Sequence, residues 1–266
     1  MTISGAHARR AHAASTRRSE EAYDIVADHY DEWSWQTFWR ENEFPILLSL
    51  IKSSPPTRGV LDLGIGTGAF LSYALPHLSR SMHLVGVDIS THMLERAQVR
   101  LVSRAALVRG DVQAGLPFES SSFDLVLMMR VANHLRHFDK ALREVNRVLS
   151  PGGKLIATDL AEEFEYDCTR IPTPRATVEI ETYKHTELDW RDALSSASFG
   201  SIDFRRYRPS DMRDASAGQL AHKFPKGNVP IFSVVQAIKD DRTQKSKPRR
   251  TASSKNESLD MIERVN

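Results

Sequence analysis

The sequence predicts an α/β fold built on a mostly parallel sheet with helices on both faces, and three observations lead there. Short apolar runs of strand length alternate with stretches of helical periodicity from residue 59 to residue 160. The first run, Gly59-Val60-Leu61-Asp62-Leu63, opens directly into Gly64-Ile65-Gly66-Thr67-Gly68, a glycine-rich turn leading into a helix. Acids then close the next two apolar runs: Asp88 after His83-Leu84-Val85-Gly86-Val87, and Asp111 after Ala105-Ala106-Leu107-Val108-Arg109-Gly110. On a parallel sheet such positions lie at the carboxyl ends of strands, where ligands bind.

Residues 1–19 carry too little apolar surface to offset the entropy of ordering, so a disordered basic arm is expected there. From Glu20 onward Tyr23, Val26, Ala27 and Tyr30 share one helical stripe, the start of a helical lid expected over 20–58. An aromatic cluster follows (Trp33, Trp35, Phe38, Trp39 and Phe44), then a helix over Ile46–Ile51 that stops before Pro55-Pro56. Strands are expected at Gly59–Leu63, His83–Asp88, Ala105–Arg109, Phe123–Met129 and Lys154–Asp159. Helices are expected at Ala69–Leu78 and Met93–Leu101, and where Phe138, Ala141, Leu142, Val145 and Leu149 recur at helical spacing.

The strict alternation then stops. Residues 161–185 contain Pro172, Pro174 and the alternating run Thr177–Tyr183, which predicts a strand or hairpin inserted over the cleft. Glu187–Ala197 reads as a helix, and Ile202–Tyr207 and Ile231–Ile238 as the last strands of a domain spanning 59–239. Residues 240–266 are polar, basic and aperiodic, and a disordered tail is expected.

A chain of 266 residues with 41% hydrophobic content can bury one sizeable core. The net charge of +2 is unevenly spread: Arg9, Arg10, Arg17 and Arg18 load one end, and Arg242, Lys245, Lys247, Arg249, Arg250 and Lys255 the other. The body between them is therefore acidic, which argues against a broad phosphate-tracking surface. The single cysteine, Cys168, excludes an intramolecular disulfide and suits a reducing compartment. No apolar run reaches membrane-spanning length, so a cytoplasmic protein is expected. No Cys/His spacing supports a metal site.

Asp88 stands where a carboxylate grips ribose hydroxyls, so the chain is expected to bind an adenosine-containing cofactor. Gly64, Gly66 and Ala69 fit a dinucleotide fingerprint loosely, and the glycines alone leave the cofactor class open. The order Asp62-Leu63-Gly64-Ile65-Gly66-Thr67-Gly68, Asp88, Gly110-Asp111, Phe123–Met129 and Arg147-Val148-Leu149-Ser150-Pro151-Gly152-Gly153 resembles the class I S-adenosylmethionine-dependent methyltransferases. More narrowly, it is similar to the small-molecule branch that includes the ubiquinone/menaquinone-biosynthesis type. The ordered motifs cover residues 22–160.

That resemblance implies a Rossmann-like seven-stranded sheet whose last strand is antiparallel, and S-adenosylmethionine as cofactor, with S-adenosylhomocysteine as product. It implies that Gly64, Gly66 and Gly68 pack under the methionine half and that Asp62 orients the loop or meets the ammonium group. Asp88 would accept both ribose hydroxyls, Ile89 and Met93 would flank the adenine, and Asp111 with the Val112 N–H would read its edge. Arg130 lies where the cofactor carboxylate and the substrate pocket meet. The segment Tyr23-Asp24-Ile25-Val26-Ala27-Asp28-His29-Tyr30-Asp31-Glu32-Trp33 resembles the family's lid helix. Tyr23, Tyr30, Trp39, His137, Tyr183 and His185 are the candidate substrate contacts, and His134 the first candidate general base. Arg130-Val131-Ala132-Asn133-His134 departs from the family's more apolar segment there.

The expected activity is methyl transfer to N, O or C of a small ring-bearing acceptor, by a monomer or homodimer. Alternatives are an RNA methyltransferase that uses the basic ends and a non-catalytic module that binds the cofactor. Neither an Asp/Asn-Pro-Pro-aromatic motif nor a Pro-Cys nucleophile is present, which sets aside exocyclic amino-group and covalent cytosine methylation.

Overall fold

Every apolar run between 59 and 160 forms a strand, and the order of those strands fixes where a site can lie. The computed structural model describes residues 9–10, 17–212 and 227–241. One seven-stranded sheet joins β2 (Gly59–Leu63), β3 (His83–Asp88), β4 (Ala106–Arg109), β5 (Phe123–Met129), β6 (Leu149–Leu160), β10 (Phe199–Tyr207) and β11 (Phe232–Lys239). Its spatial order is β10-β11-β6-β5-β2-β3-β4. The pairs β2–β3, β2–β5, β3–β4 and β5–β6 are parallel, whereas β11 runs antiparallel to both β6 and β10. The chain order reverses between β2 and β5, so a crevice opens at their carboxyl ends.

Helices α2 (Ser34–Ser53), α3 (Ala69–Ala74) and α4 (Thr91–Leu101) share one apolar cluster with the strands, and α5 (Phe138–Val148) and α6 (Glu187–Ser196) belong to another. Burial drives α5: Phe138, Ala141, Leu142, Val145 and Val148 fall on one face at three- and four-residue spacing. A third, smaller apolar cluster lies apart from both. It joins Ala22, Val26 and Ala27 of and beside α1 (Ser19–Val26) to Met93, and to Ile171, Val178 and Ile180 of the hairpin β7 (Thr169–Pro172) and β8 (Thr177–Ile180). Helix α1 and the inserted hairpin therefore make one roof.

Two expectations need correction, and a third, the inserted hairpin, stands with shifted bounds. The arm expected to be disordered through residue 19 pairs at Arg9–Arg10 (β1) with β9 (Tyr183–Lys184), and Arg17 bridges Ile180. Residues 1–8, 11–16, 213–226 and 242–266, and with them every basic residue named above for the C-terminal end, lie outside the described residues. The aromatic cluster and the expected Ile46–Ile51 helix are one element, α2, with Pro45 inside it. An interior proline costs about 3 kcal/mol, but burying Trp35, Phe38, Trp39, Phe44, Leu47, Leu48 and Ile51 on one helix outweighs that. The run Thr177–Tyr183 breaks after Ile180, and its partner strand is Thr169–Pro172.

Asp124 on β5 fixes the entry to β2 by accepting from the backbone N–H groups of Thr57 (2.6 Å), Arg58 (3.1 Å) and Gly59 (2.9 Å). These donors, working against burial, hold its carboxyl below its ordinary value. A depressed carboxylate contributes stability that is present above the unfolded-state value and lost as pH falls through the folded one. Asp124→Asn should therefore lower stability at pH 7 by about 1 kcal/mol and by less at pH 3. Denaturant melts of both proteins at the two pH values measure this.

Candidate functional site

A cavity of about 830 Å³ opens at the carboxyl ends of β2, β3 and β5. Its floor is the glycine turn. Gly64 and Ile65 donate their backbone N–H groups to the Val87 carbonyl at 2.8 and 3.0 Å, which ties the turn to β3. Gly64, Gly66 and Gly68 all have positive φ, +66°, +55° and +75°, a region that L side chains rarely enter. A Cβ on Gly64 would meet Val131 Cγ2 at 2.3 Å. Gly66 lines the cavity, and no atom lies within 4 Å of where its Cβ would stand. Gly68 needs correction: it does not line the cavity, and its Cβ position faces Leu101 and Ala97, so it packs the turn against α4.

Two buried acids stand beside the turn. Asp88 lines the cavity, its Oδ2 accepting from the Gly66 N–H at 2.8 Å and its Oδ1 from the Ser90 N–H at 2.9 Å. Burial outweighs these bonds and pushes its carboxyl up to about 6. Asp62 lies fully buried behind the wall, and neither of its side-chain oxygens has a hydrogen-bond partner. Burial, then the charge of Asp88, raises its carboxyl well above the ordinary range. Ile89, Met93, Asp111 and Val112 also line the cavity, and Asp111 Oδ1 accepts from the Gln113 N–H at 2.8 Å.

The other walls are aromatic: Trp33, Trp35, Trp39, Phe164 and Tyr166, with Tyr30 and Tyr183. Arg130, at φ +54°, lies over the Trp39 ring with its guanidinium carbon 4.7 Å from the centroid. It pairs with Glu43, which is fully buried and also accepts from Thr158 Oγ1 at 2.6 Å. Sequence reading passed over Glu43, although it stands four residues from both Trp39 and Leu47 on the buried stripe of α2.

Tyr23 of α1 and His134, just past β5, meet in this cavity, with the Tyr23 hydroxyl 2.8 Å from His134 Nε2. His134 Nδ1 lies 3.1 Å from the Glu181 carbonyl oxygen, which can only accept. The neutral ring therefore carries its proton on Nδ1, and Nε2 accepts from Tyr23. Burial pushes the imidazole below its ordinary value and the phenol well above its own, so both are neutral at pH 7. His137 lines the cavity at an exposed position, its backbone N–H held by Gln113 Oε1.

His185 is the second correction. It is buried outside the cavity, stacked on Phe138 at 4.4 Å between ring centroids, with Nδ1 3.3 Å from Asp159 Oδ2. The same oxygen accepts from Trp190 Nε1 at 3.2 Å, which makes His185 part of the packing between α5 and α6. Among the described residues no cluster of three or more His, Cys, Asp or Glu could hold a metal. No described helix is long and apolar enough to cross a membrane.

Residues 61–157 match the family model described as a methyltransferase domain. A phthiotriol/phenolphthiotriol dimycocerosates methyltransferase of Mycobacterium ulcerans is 40% identical over 115 residues, 40% of this chain and 39% of that protein. A demethylmenaquinone methyltransferase of Leptospira interrogans is 30% identical over 153 residues, 53% of this chain and 60% of that protein. The matches thus span less than two thirds of these relatives' length. Haemonchus contortus phosphoethanolamine N-methyltransferase 2, solved in complex with S-adenosyl-L-methionine, superposes with a TM-score of 0.58 at 16% identity. That likeness covers 82% of this chain and 60% of the other, and carries the fold. Residues 61–157, which hold the glycine turn, thus match a methyltransferase domain, and the order of the whole sheet is that of the Rossmann-like fold of S-adenosylmethionine-dependent methyltransferases.

Proposed function

We propose that the protein transfers a methyl group from S-adenosylmethionine to O, N or C of a small, ring-bearing acceptor. One observation carries this reading: a single cavity joins the glycine turn and the strand-end acids to aromatic walls and to a neutral Tyr23–His134 pair. The residues present fit the cofactor. Gly66 leaves bare backbone toward the cavity, and Asp62 keeps two buried oxygens with no hydrogen-bond partner. Asp88 keeps lone pairs for two ribose hydroxyls after accepting two backbone N–H groups, because each carboxylate oxygen has two.

In roles, Asp88 would hold the ribose, Ile89 and Met93 the faces of the adenine, and Asp111 with the Val112 N–H its edge. Gly64 and Gly66 would underlie the methionine half, and Arg130 would meet its carboxylate. Trp39, Tyr30 and Tyr183 would bound the acceptor, and His137 the mouth. When bound, the cofactor supplies an electrophilic methyl group on a sulfonium. The enclosing walls exclude water and align the acceptor, which does much of the catalysis for an in-line displacement. Where the acceptor is a hydroxyl, its proton passes to Tyr23 Oη as the Tyr23 proton passes to His134 Nε2. The imidazolium so formed stays bonded through Nδ1–H to the Glu181 carbonyl. The His134 ring is thus already oriented to carry the positive charge it gains.

Calorimetric titration with S-adenosylmethionine and S-adenosylhomocysteine, with NADH as control, tests the cofactor assignment. Micromolar binding of the first two and none of NADH is expected, and NADH binding alone would overturn it. Asp88→Ala should weaken S-adenosylhomocysteine binding by about tenfold or more. Because Asp88 sits near 6 and must be ionised to accept two hydroxyls, wild-type affinity should be flat above pH 7 and fall below pH 6. With an acceptor found by screening hydroxylated and amino ring compounds, His134→Gln should lower kcat by about a hundredfold while S-adenosylhomocysteine affinity is retained.

A further inference from the structure

The acids of the lid segment take no part in the chemistry described above, yet two of them bond to the two turns that build the cofactor end of the cavity. Asp31, in a short helical turn over Tyr30–Glu32, accepts from Thr67 Oγ1 at 2.8 Å and from Arg100 at 2.7 Å. Thr67 stands between Gly66 and Gly68 and is buried, and Arg100 also donates to its carbonyl at 2.8 Å. Asp24, on α1, accepts from Ser90 Oγ at 2.6 Å and from the His92 N–H at 3.2 Å. Ser90 is fully buried, donates its own N–H to Asp88, and caps α4 by accepting from the Met93 N–H. These donors, led by Ser90 and opposing the cost of partial burial, keep the Asp24 carboxyl below its ordinary value.

From this wiring we infer that Asp24 and Asp31 are positioning residues, which make docking of the lid and ordering of the cofactor turns one event. The inference rests on the cofactor reading above. Neither acid lines the cavity, so each acts through a hydroxyl neighbour. Asp31 secures the turn whose Gly66 N–H meets Asp88, and Asp24 secures Ser90, whose N–H meets the other Asp88 oxygen. The two oxygens of Asp88 are thereby held from opposite sides by groups that the lid fixes. Asp28 supplies the internal comparison. It lies on the same segment and pairs with Arg96 of α4, but both groups are well exposed and neither touches a turn. An isolated exposed pair of that kind contributes little.

The test compares Asp31→Asn, Asp24→Asn and Asp28→Asn in the full chain by two readouts. The first is amide hydrogen exchange without ligand over residues 64–68 and 88–90. Asp31→Asn should speed exchange in the first stretch, Asp24→Asn in the second, and Asp28→Asn in neither. The second is the dissociation rate of S-adenosylhomocysteine. It should rise about tenfold in the first two variants and less than twofold in the third, as expected for lost hydrogen bonds to a charged group. Thr67→Ala should reproduce Asp31→Asn, and the double variant should be no worse than either single one. Equal effects from all three asparagine variants, or turns that exchange at the wild-type rate in Asp31→Asn and Asp24→Asn, would overturn the inference. Failure of the wild type to bind S-adenosylhomocysteine while the exchange pattern holds would instead count against the cofactor reading alone.

Discussion

Two hydrogen bonds from Gly64 and Ile65 to the carbonyl of Val87 decide where everything else in the site can stand. They draw the end of β2 toward β3 and force the chain through left-handed backbone at Gly64, Gly66 and Gly68. That path aims the Gly66 N–H at Asp88 and lets Gly68 seat against α4. A side chain on Gly64 would strike Val131, which belongs to the segment that carries Arg130 and His134. The turn therefore sets the nucleotide end and the catalytic end of one cavity together. Residues far apart in sequence depend on it because neither the backbone strain nor the Val131 contact leaves room to adjust.

Much of this was legible from residue order. The strands of the parallel region appear where the short apolar runs stand, because a strand buried on both faces, as β2 and β5 largely are, has little choice of composition. Asp88, Asp111 and Arg130 reach the cavity because strand ends on one edge of such a sheet converge. What escaped the sequence were contacts made across long separations. Pro45 and the aromatics around it obscured α2, since a local penalty reads clearly and its tertiary compensation does not. Glu43 and Thr158 are 115 residues apart, and nothing local marks them as partners of Arg130. The sequence neighbours of His185 point it to the site, but β9 turns it into the packing beside Asp159 and Trp190. Gly68 looks like the other two glycines in sequence, although its open side meets a helix.

The roof is held by different forces from the body. Its apolar cluster is small, and it adds polar bonds to buried hydroxyls and a row of ion pairs on α4. Exposed pairs add little each, while the carboxylates bonded to buried Ser90 and Thr67 add more because their loss leaves a polar group unsatisfied. A roof built this way shares less apolar burial with the body than the strands of the sheet share with one another.

The pairing of Arg17 with Ile180 has a consequence for how the protein is made. The segment bearing Tyr23 leaves the ribosome before the sheet does, yet its partners include residues 88–100 and 171–181, the last of them more than 150 residues later. The Tyr23 end of the nascent chain must wait, without its apolar partners, while the sheet assembles behind it. Its alternation of acids with tyrosines, from Glu20 to Glu32, keeps that waiting segment charged and resistant to premature collapse. The same carboxylates that later fasten the roof thus guard this earlier-made segment before there is anything to fasten it to.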